Sequence, residues 1–303
     1  MSEGQPATTA AAQLFGLTKR FPGFQLGPLD LTLEPGTVLA LVGPNGAGKT
    51  TTLNCMAGLT VPDEGSIEIF GNPVGPARPA YRRDLGYVGE ESGFFQRWTV
   101  RRNLAYLEQA FPAWSVDRAR RLADRFGLAL DKPVRSLSRG NRAKLALVAA
   151  LGHGPRLLLL DEPTAGLDPV VRAEVLDVLW EVTEDGGHAV LYSTHVLSDI
   201  SRLADELAFL RDGRLLLRSG KEELSEQWRR ISFRLPDESA EITGVVEHRR
   251  VRTEHQVITR DATATLEQLG TLGAEGVEAA RMTIEEIAVQ ILKEGHDVAR
   301  TQS

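Results

Sequence analysis

Residues 37–42 read T-V-L-A-L-V and run directly into G-P-N-G-A-G-K-T at 43–50. An aliphatic and β-branched run with no polar alternation fits a strand buried on both faces, as in a parallel sheet covered on each side. The glycine-rich stretch that stops it reads as a tight loop, and a helix is predicted to follow over residues 49–58. A strand, a glycine loop and a helix in immediate succession place the chain in the α/β class.

Two further strands repeat the pattern. Residues 156–160 (R-L-L-L-L) end in Asp161 and Glu162, and residues 188–193 (H-A-V-L-Y-S) end in Thr194 and His195. Open α/β sheets bind ligands at the carboxyl ends of their strands, so the loops beginning at Gly43, Asp161 and Thr194 are expected to share one crevice. Between them, residues 99–154 place apolar side chains at helical spacing (Leu104, Leu107, Phe111; Leu145, Val148, Ala149), interrupted at Pro112 and Pro133, and predict an inserted helical subdomain. After Gly220, I-S-F-R-L, G-V-V-E-H-R-R-V and H-Q-V-I-T-R read as short strands and residues 284–292 as an amphipathic helix. With 303 residues the chain has room for about two structural units. The expected domains are residues 13–220, with a helical subdomain over about 90–154, and an accessory domain over 221–303.

G-x-x-x-x-G-K-T between a strand and a helix is the phosphate-binding loop pattern in its proper context. Asn45, Gly46 and Gly48 bring backbone N–H groups close to a polyphosphate at a helix N-terminus, where glycine permits conformations denied to other residues. Lys49 adds a full positive charge for the β- and γ-phosphates, the Thr50 hydroxyl is placed to coordinate Mg²⁺, and Thr51 to reach another phosphate oxygen. The apolar strand at 157–160 delivers Asp161 toward the metal and Glu162 toward the attacking water.

G-P-N-G-A-G-K-T at 43–50, L-S-R-G-N at 137–141, L-L-L-L-D-E-P at 157–163, A-G-L-D at 165–168 and S-T-H at 193–195 occur in the order found in ATP-binding cassette (ABC) ATPases. Over about residues 13–220 the chain resembles that family, most of all bacterial ATPase subunits that pair with a separately encoded membrane permease. The resemblance implies a P-loop NTPase (RecA-like) core with an inserted helical subdomain, here followed by a small α+β C-terminal appendage. It also implies ATP and Mg²⁺ as cofactors and two nucleotide-binding subunits closing head to tail. Ser138 and Gly140 of one subunit would then cap the γ-phosphate held by the other, and Asp168 would cross the interface. His195 would contact the γ-phosphate and hold Glu162 and the water in line. Phe21 stands where the family stacks an aromatic ring on adenine, with Phe24 as the rival. Phe94, Phe95, Trp98 and Val100 lie where a short helix of the permease would dock, although a core cluster explains them equally well.

Two positions depart from the family pattern. Glu90 occupies the place of a glutamine that contacts Mg²⁺ and the water; a carboxylate can ligate the metal but adds negative charge beside the triphosphate. Gln96 is a poorer-spaced substitute. Arg139 stands where the signature has glycine, and Asn141 replaces glutamine.

The resemblance therefore implies an ATP-hydrolysing subunit that powers a transmembrane transporter, by expectation an exporter, held at the inner face of the cell membrane by its permease. The alternative is an ABC-type nucleotide switch acting on ribosomes or nucleic acid, and a third possibility is a cassette that binds ATP without hydrolysing it. A net charge of −6 speaks against broad nucleic-acid binding. No apolar run reaches the roughly 18–20 residues a membrane helix needs, residues 1–12 do not read as a secretory signal, and the single cysteine, Cys55, excludes an internal disulfide.

Overall fold

The computed structural model describes residues 9–76, 79–89, 93–184, 186–236 and 241–301. Its centre is a six-stranded sheet. The parallel strands are β3 (Val38–Val42), β6 (Leu85–Val88), β7 (Leu157–Asp161), β8 (Ala189–Thr194) and β9 (Glu206–Arg211), with β10 (Arg214–Gly220) antiparallel at one edge, in the order β10-β9-β3-β8-β7-β6. The three strands expected from sequence are present: β3 begins a residue later than expected and ends where expected, and β7 and β8 are each shifted by one residue. Helix α1 (Lys49–Met56) follows β3 as expected and ends two residues earlier than its predicted limit.

The apolar runs follow from cover on both faces. Val38, Ala40 and Val42, with Leu158, Leu160 and Tyr192, pack into one core beneath the helices. The alternate residues Leu39, Leu41, Leu157, Leu159 and Leu191 pack into a second core with α1 and an antiparallel sheet. That sheet, built of β1 (Ala12–Phe21), β2 (Phe24–Leu33), β4 (Glu64–Ile69) and β5 (Asn72–Pro73) in the order β2-β1-β4-β5, is not anticipated by the sequence reading. Cys55 lies in the second core; burial pushes its thiol up to about 11, which leaves it protonated and unreactive.

The inserted lobe consists of α2 (Val100–Ala110), α3 (Val116–Arg125) and α4 (Arg139–Leu151). Each starts on a hydroxyl cap, Thr99, Ser115 and Ser138, which accepts a hydrogen bond from the backbone N–H three residues on. Helix α5 (Pro169–Glu184) lies between β7 and β8, and α6 (Leu197–Leu203) follows β8. Among the described residues no helix is long and apolar enough to cross a membrane.

The C-terminal segment begins with α7 (Lys221–Gln227) and forms a four-stranded antiparallel sheet in the order β12-β13-β11-β14. Its strands are β11 (Arg229–Arg234), β12 (Glu247–Val251), β13 (Glu254–Thr259) and β14 (Glu275–Arg281), with α8 (Ala262–Thr271) before the last. A small core of Ile231, Phe233, Leu235, Val257 and Leu269 belongs to this sheet alone. Helix α9 (Ile284–Thr301) does not stay with it. Its stripe of Ile284, Ile287, Ala288 and Ile291, at i, i+3, i+4 and i+7, joins Trp228 in the same core as Ile200 and Leu203 of α6 and Leu207 and Phe209 of β9. Each buried isoleucine contributes about 2 kcal/mol, so the tail and the body built on the central sheet are held by one continuous apolar contact.

Thr283 and Glu286 form a reciprocal cap at the start of α9. The Glu286 carboxylate accepts from the Thr283 N–H (2.9 Å), and the Thr283 hydroxyl accepts from the Glu286 N–H (3.2 Å). The Thr283 N–H and the Arg230 guanidinium, 2.8 Å away, hold the Glu286 carboxyl below its usual 4.5. A carboxyl depressed in the folded state stabilises it above its unfolded pKa and loses that contribution as pH falls through the lower folded value. Thr283→Ala is expected to cost about 1 kcal/mol at pH 7. Glu286→Gln is expected to lower the melting temperature at pH 7, with the difference from the parent chain shrinking below pH 4.5 in thermal melts.

Candidate active site

Strand register sets the site. β3, β7 and β8 pair so that Val42 lies beside Thr194 and Asp161 beside Ser193, which ends all three strands on one line. The loops that follow open into one cavity of about 1590 Å³, lined by Asn45, Gly46, Gly48, Lys49, Thr50, Thr51, Asp161, Glu162 and His195, as the sequence predicts. Gly48, with φ 108°, caps α1 without a side chain, so the first-turn N–H groups face the cavity mouth. A Cβ on Gly48 would lie 2.8 Å from Leu26, so the loop needs glycine there for space as well as for conformation.

Lys49 is buried, and its ammonium has three acceptors for its three protons. The Gly43 and Pro44 carbonyls accept at 2.8 and 3.1 Å, and Glu162 Oε1 lies at 3.2 Å. Glu162 Oε2 is 2.7 Å from His195 Nδ1, so the carboxylate bridges lysine and histidine. Glu162 adopts φ 48°, a left-handed backbone that costs a non-glycine residue roughly 1–2 kcal/mol. Its N–H donates to the carbonyl (3.2 Å) and hydroxyl (3.0 Å) of Ser193. The same hydroxyl donates to Asp161 Oδ1 at 2.6 Å. Asp161 Oδ2 is buried without a hydrogen-bond partner, an orphan carboxylate oxygen on a residue that lines the same cavity as Thr50, and this donor set fits a divalent cation. On the neighbouring strand burial, and after it the Asp161 charge, push the Tyr87 phenol up to about 12.

Ser138, Gly140, Asp168 and Phe21 are not among the residues that line this cavity. Ser138 caps α4, with its Oγ 3.2 Å from the Asn141 N–H, and Gly140 lies against Val171, where a Cβ would be 2.8 Å from the valine side chain. Asp168 caps α5 by accepting from the N–H groups of Val170 (3.2 Å) and Val171 (3.1 Å). Phe24, rather than Phe21, lines the cavity; Phe21 is 43% exposed and stacks on Phe24 at 6.4 Å. Gln96 also lines it, whereas Glu90 lies outside the described residues. Phe95 and Trp98 stack at 4.2 Å, joined by Tyr106 edge-on and by Arg102 over the indole.

Two features, Ser193 and Arg142, escaped the sequence reading, and Arg139, singled out there as a departure from the family pattern, has its place fixed only by the structure. Ser193 links both carboxylates, and only its place in S-T-H hinted at it. Arg142 joins the cavity wall one turn along α4. Arg139 lines the cavity and lays its guanidinium on Gly166, where a Cβ would lie 2.4 Å from Nη1.

Such a cleft defines a P-loop nucleoside triphosphatase with a carboxylate poised at the mouth of the phosphate loop. The sequence model of the ABC transporter family matches residues 26–165. The ABC transporter ATP-binding protein YtrB of Bacillus subtilis is 31% identical over 222 residues, covering 73% of this chain and 76% of that protein. The daunorubicin/doxorubicin resistance ATP-binding protein DrrA of Streptomyces peucetius is 36% identical over 222 residues, covering 71% and 67%. A solved ATP-binding subunit of an ABC transporter superposes with a TM-score of 0.63 at 28% identity, over 72% of this chain and 92% of that one. The chain belongs to the ABC transporter family as an ATP-binding subunit, an ATPase whose hydrolysis is coupled to transport.

Gly166 has φ 64° as well as the Arg139 contact. Gly166→Ala is expected to cost about 1–2 kcal/mol for the backbone alone and more for the clash. Arg139→Ala in the same chain should recover the clash component and leave the backbone component, which a double-mutant cycle of thermal stability reads directly.

Proposed function

We propose that this chain binds Mg²⁺-ATP in the cleft, dimerises with a second nucleotide-binding subunit, and drives a separately encoded transmembrane permease that exports its substrate. The observation that carries the chemistry is the Glu162 carboxylate held between Lys49 and His195 at the mouth of the phosphate loop.

In this reading Lys49 exchanges the Gly43 and Pro44 carbonyls and Glu162 for the β- and γ-phosphates. That exchange releases Glu162 Oε1, which then accepts a hydrogen bond from the attacking water, while Oε2 stays on His195 and keeps the carboxylate aimed. Thr50 and Asp161 would hold Mg²⁺, with Glu90 a further candidate, and the cation supplies charge neutralisation on the phosphates. The backbone at Asn45, Gly46, Gly48 and Thr51 cradles the phosphate chain. Phe24 or Phe21 stacks on the adenine. Ser138, Gly140 and Asp168, which stand outside the cleft of their own chain, serve the cleft of the partner subunit, so the active site is composite.

Residues 13–220 form the ATPase unit, with residues 221–303 as an accessory domain. The aromatic cluster in which exposed Phe95 and Tyr106 flank the half-buried Trp98 supports a permease contact there, and with it a peripheral position on the inner face of the membrane. Similarity to a drug-resistance subunit supports export. A switch acting on ribosomes or nucleic acid has no comparable support.

Lys49→Ala is expected to abolish tight ATP binding. Glu162→Gln should keep binding, lose at least roughly 100-fold in turnover, and accumulate an ATP-bound dimer on size-exclusion chromatography. Hydrolysis at the parental rate in either variant overturns the assignment. Capture of the chain from its native membranes with Mg²⁺-ATP should recover a polytopic membrane protein; recovery of ribosomes or nucleic acid instead would replace the transport reading.

A further inference from the structure

Behind the cleft, and outside its lining, Asp199 sits near the start of α6 with no solvent exposure. Its two oxygens divide their partners. Oδ2 accepts from the Thr164 hydroxyl at 2.5 Å and from the Tyr192 phenol at 2.7 Å. Oδ1 accepts from Arg172 Nε at 2.6 Å and also from its Nη2, which in turn reaches Ser198 Oγ. Burial, reinforced by the Asp199 charge, pushes the Tyr192 phenol far above its ordinary value, so it remains a donor.

Each partner comes from a different segment of the site. Thr164 follows Glu162 by two residues, Tyr192 precedes His195 by three, and Arg172 stands one turn after Asp168, to whose carbonyl its N–H donates at 2.9 Å. A fully buried carboxylate is costly unless it is paired and hydrogen-bonded, and this one is both. Its partners lie on the segments that must keep their mutual geometry. Glu162 meanwhile holds a left-handed backbone, which persists only where the surroundings impose it. Ser193 secures it on one side through the Glu162 N–H; on the other the Glu162 carbonyl accepts from the Ala165 N–H at 3.1 Å, and Thr164, inside that turn, ties it to Asp199.

We infer that Asp199, charge-paired with Arg172, is a positioning residue for hydrolysis: through Thr164 it fixes the turn that follows Glu162, and through Tyr192 the strand end that carries His195. The carboxylate and the imidazole therefore stay in hydrogen-bond register through turnover. This inference rests on Glu162 as the group that activates water.

Thr164→Val removes the hydroxyl at nearly constant volume, Thr164→Ser restores it, and Asp199→Asn removes the charge. ATP hydrolysis by the full chain is followed against ATP concentration, beside thermal melts and with Glu162→Gln as the reference. Thr164→Val and Asp199→Asn are expected to lower kcat roughly 10-fold or more, with the KM for ATP held within about twofold because neither residue touches nucleotide. Thr164→Ser should regain most of the rate. Should Asp199→Asn fail to fold, the threonine pair carries the test. A lowered melting temperature with unchanged kcat in the folded protein, or equal loss in Thr164→Ser and Thr164→Val, overturns the inference. Parental hydrolysis in Glu162→Gln overturns the site assignment and this inference with it. Loss in Glu162→Gln alongside full kcat in Thr164→Val and Asp199→Asn overturns this inference alone.

Discussion

The parallel register of β3, β7 and β8 is the constraint on which the rest depends. With Val42 beside Thr194 and Asp161 beside Ser193, three strands stop together, and the polar residues that follow have one place to go. The price of that arrangement is a sheet buried on both faces. The N-terminal antiparallel sheet covers one side, and the helical lobe, α5, α6 and α9 cover the other. Were the β7 register to slip by one residue, Asp161 would lose Ser193 and every leucine of the strand would change faces.

Within that frame Glu162 concentrates the polar contacts of the cleft. It joins the phosphate-loop lysine to the histidine after β8, and Ser193 holds its backbone in a conformation that the residue does not favour by itself. The strain is local, and the hydrogen bonds that offset it come from the neighbouring strand. The site is therefore preorganised by the sheet rather than by the loop in which Glu162 sits.

What the sequence made legible was contiguous. The phosphate loop, the strand ending in Asp161-Glu162 and the S-T-H after β8 are each read within a few residues, because strand burial and loop chemistry leave local signatures. Contacts between distant segments were not legible. Choosing Phe24 over Phe21 as a wall of the cleft depends on how the hairpin of β1 and β2 lies against the phosphate loop, not on either residue's neighbours. The N-terminal sheet was missed because β1 mixes buried and exposed positions irregularly, with register shifts between Leu14, Leu17 and Lys19, although Leu29, Leu31 and Leu33 of β2 alternate regularly with polar or exposed neighbours. The tail was legible as strands and a helix, but its sharing of a core with the cassette was not. An amphipathic stripe declares that a helix has a buried face without declaring what buries it.

Arg139 shows how a departure from a family pattern can be accommodated by a residue far along the chain. A cation at the first position of a helix opposes the helix dipole, an unfavourable term of about 0.3–1 kcal/mol at an exposed end. Among the described residues it forms no ion pair, so charge pairing does not offset that term. What receives the guanidinium is the bare Cα of Gly166, in the segment between Glu162 and Asp168. Glycine there serves the φ of 64° and the arginine at once, so neither position can change freely without the other. The start of α4 is thereby tied to the loop that leads into α5, on the same side of the molecule where Gly140 rests on Val171. Two adjacent positions of α4 thus seat on the segment around Asp168, which makes this end of the helical lobe and that loop one packed unit.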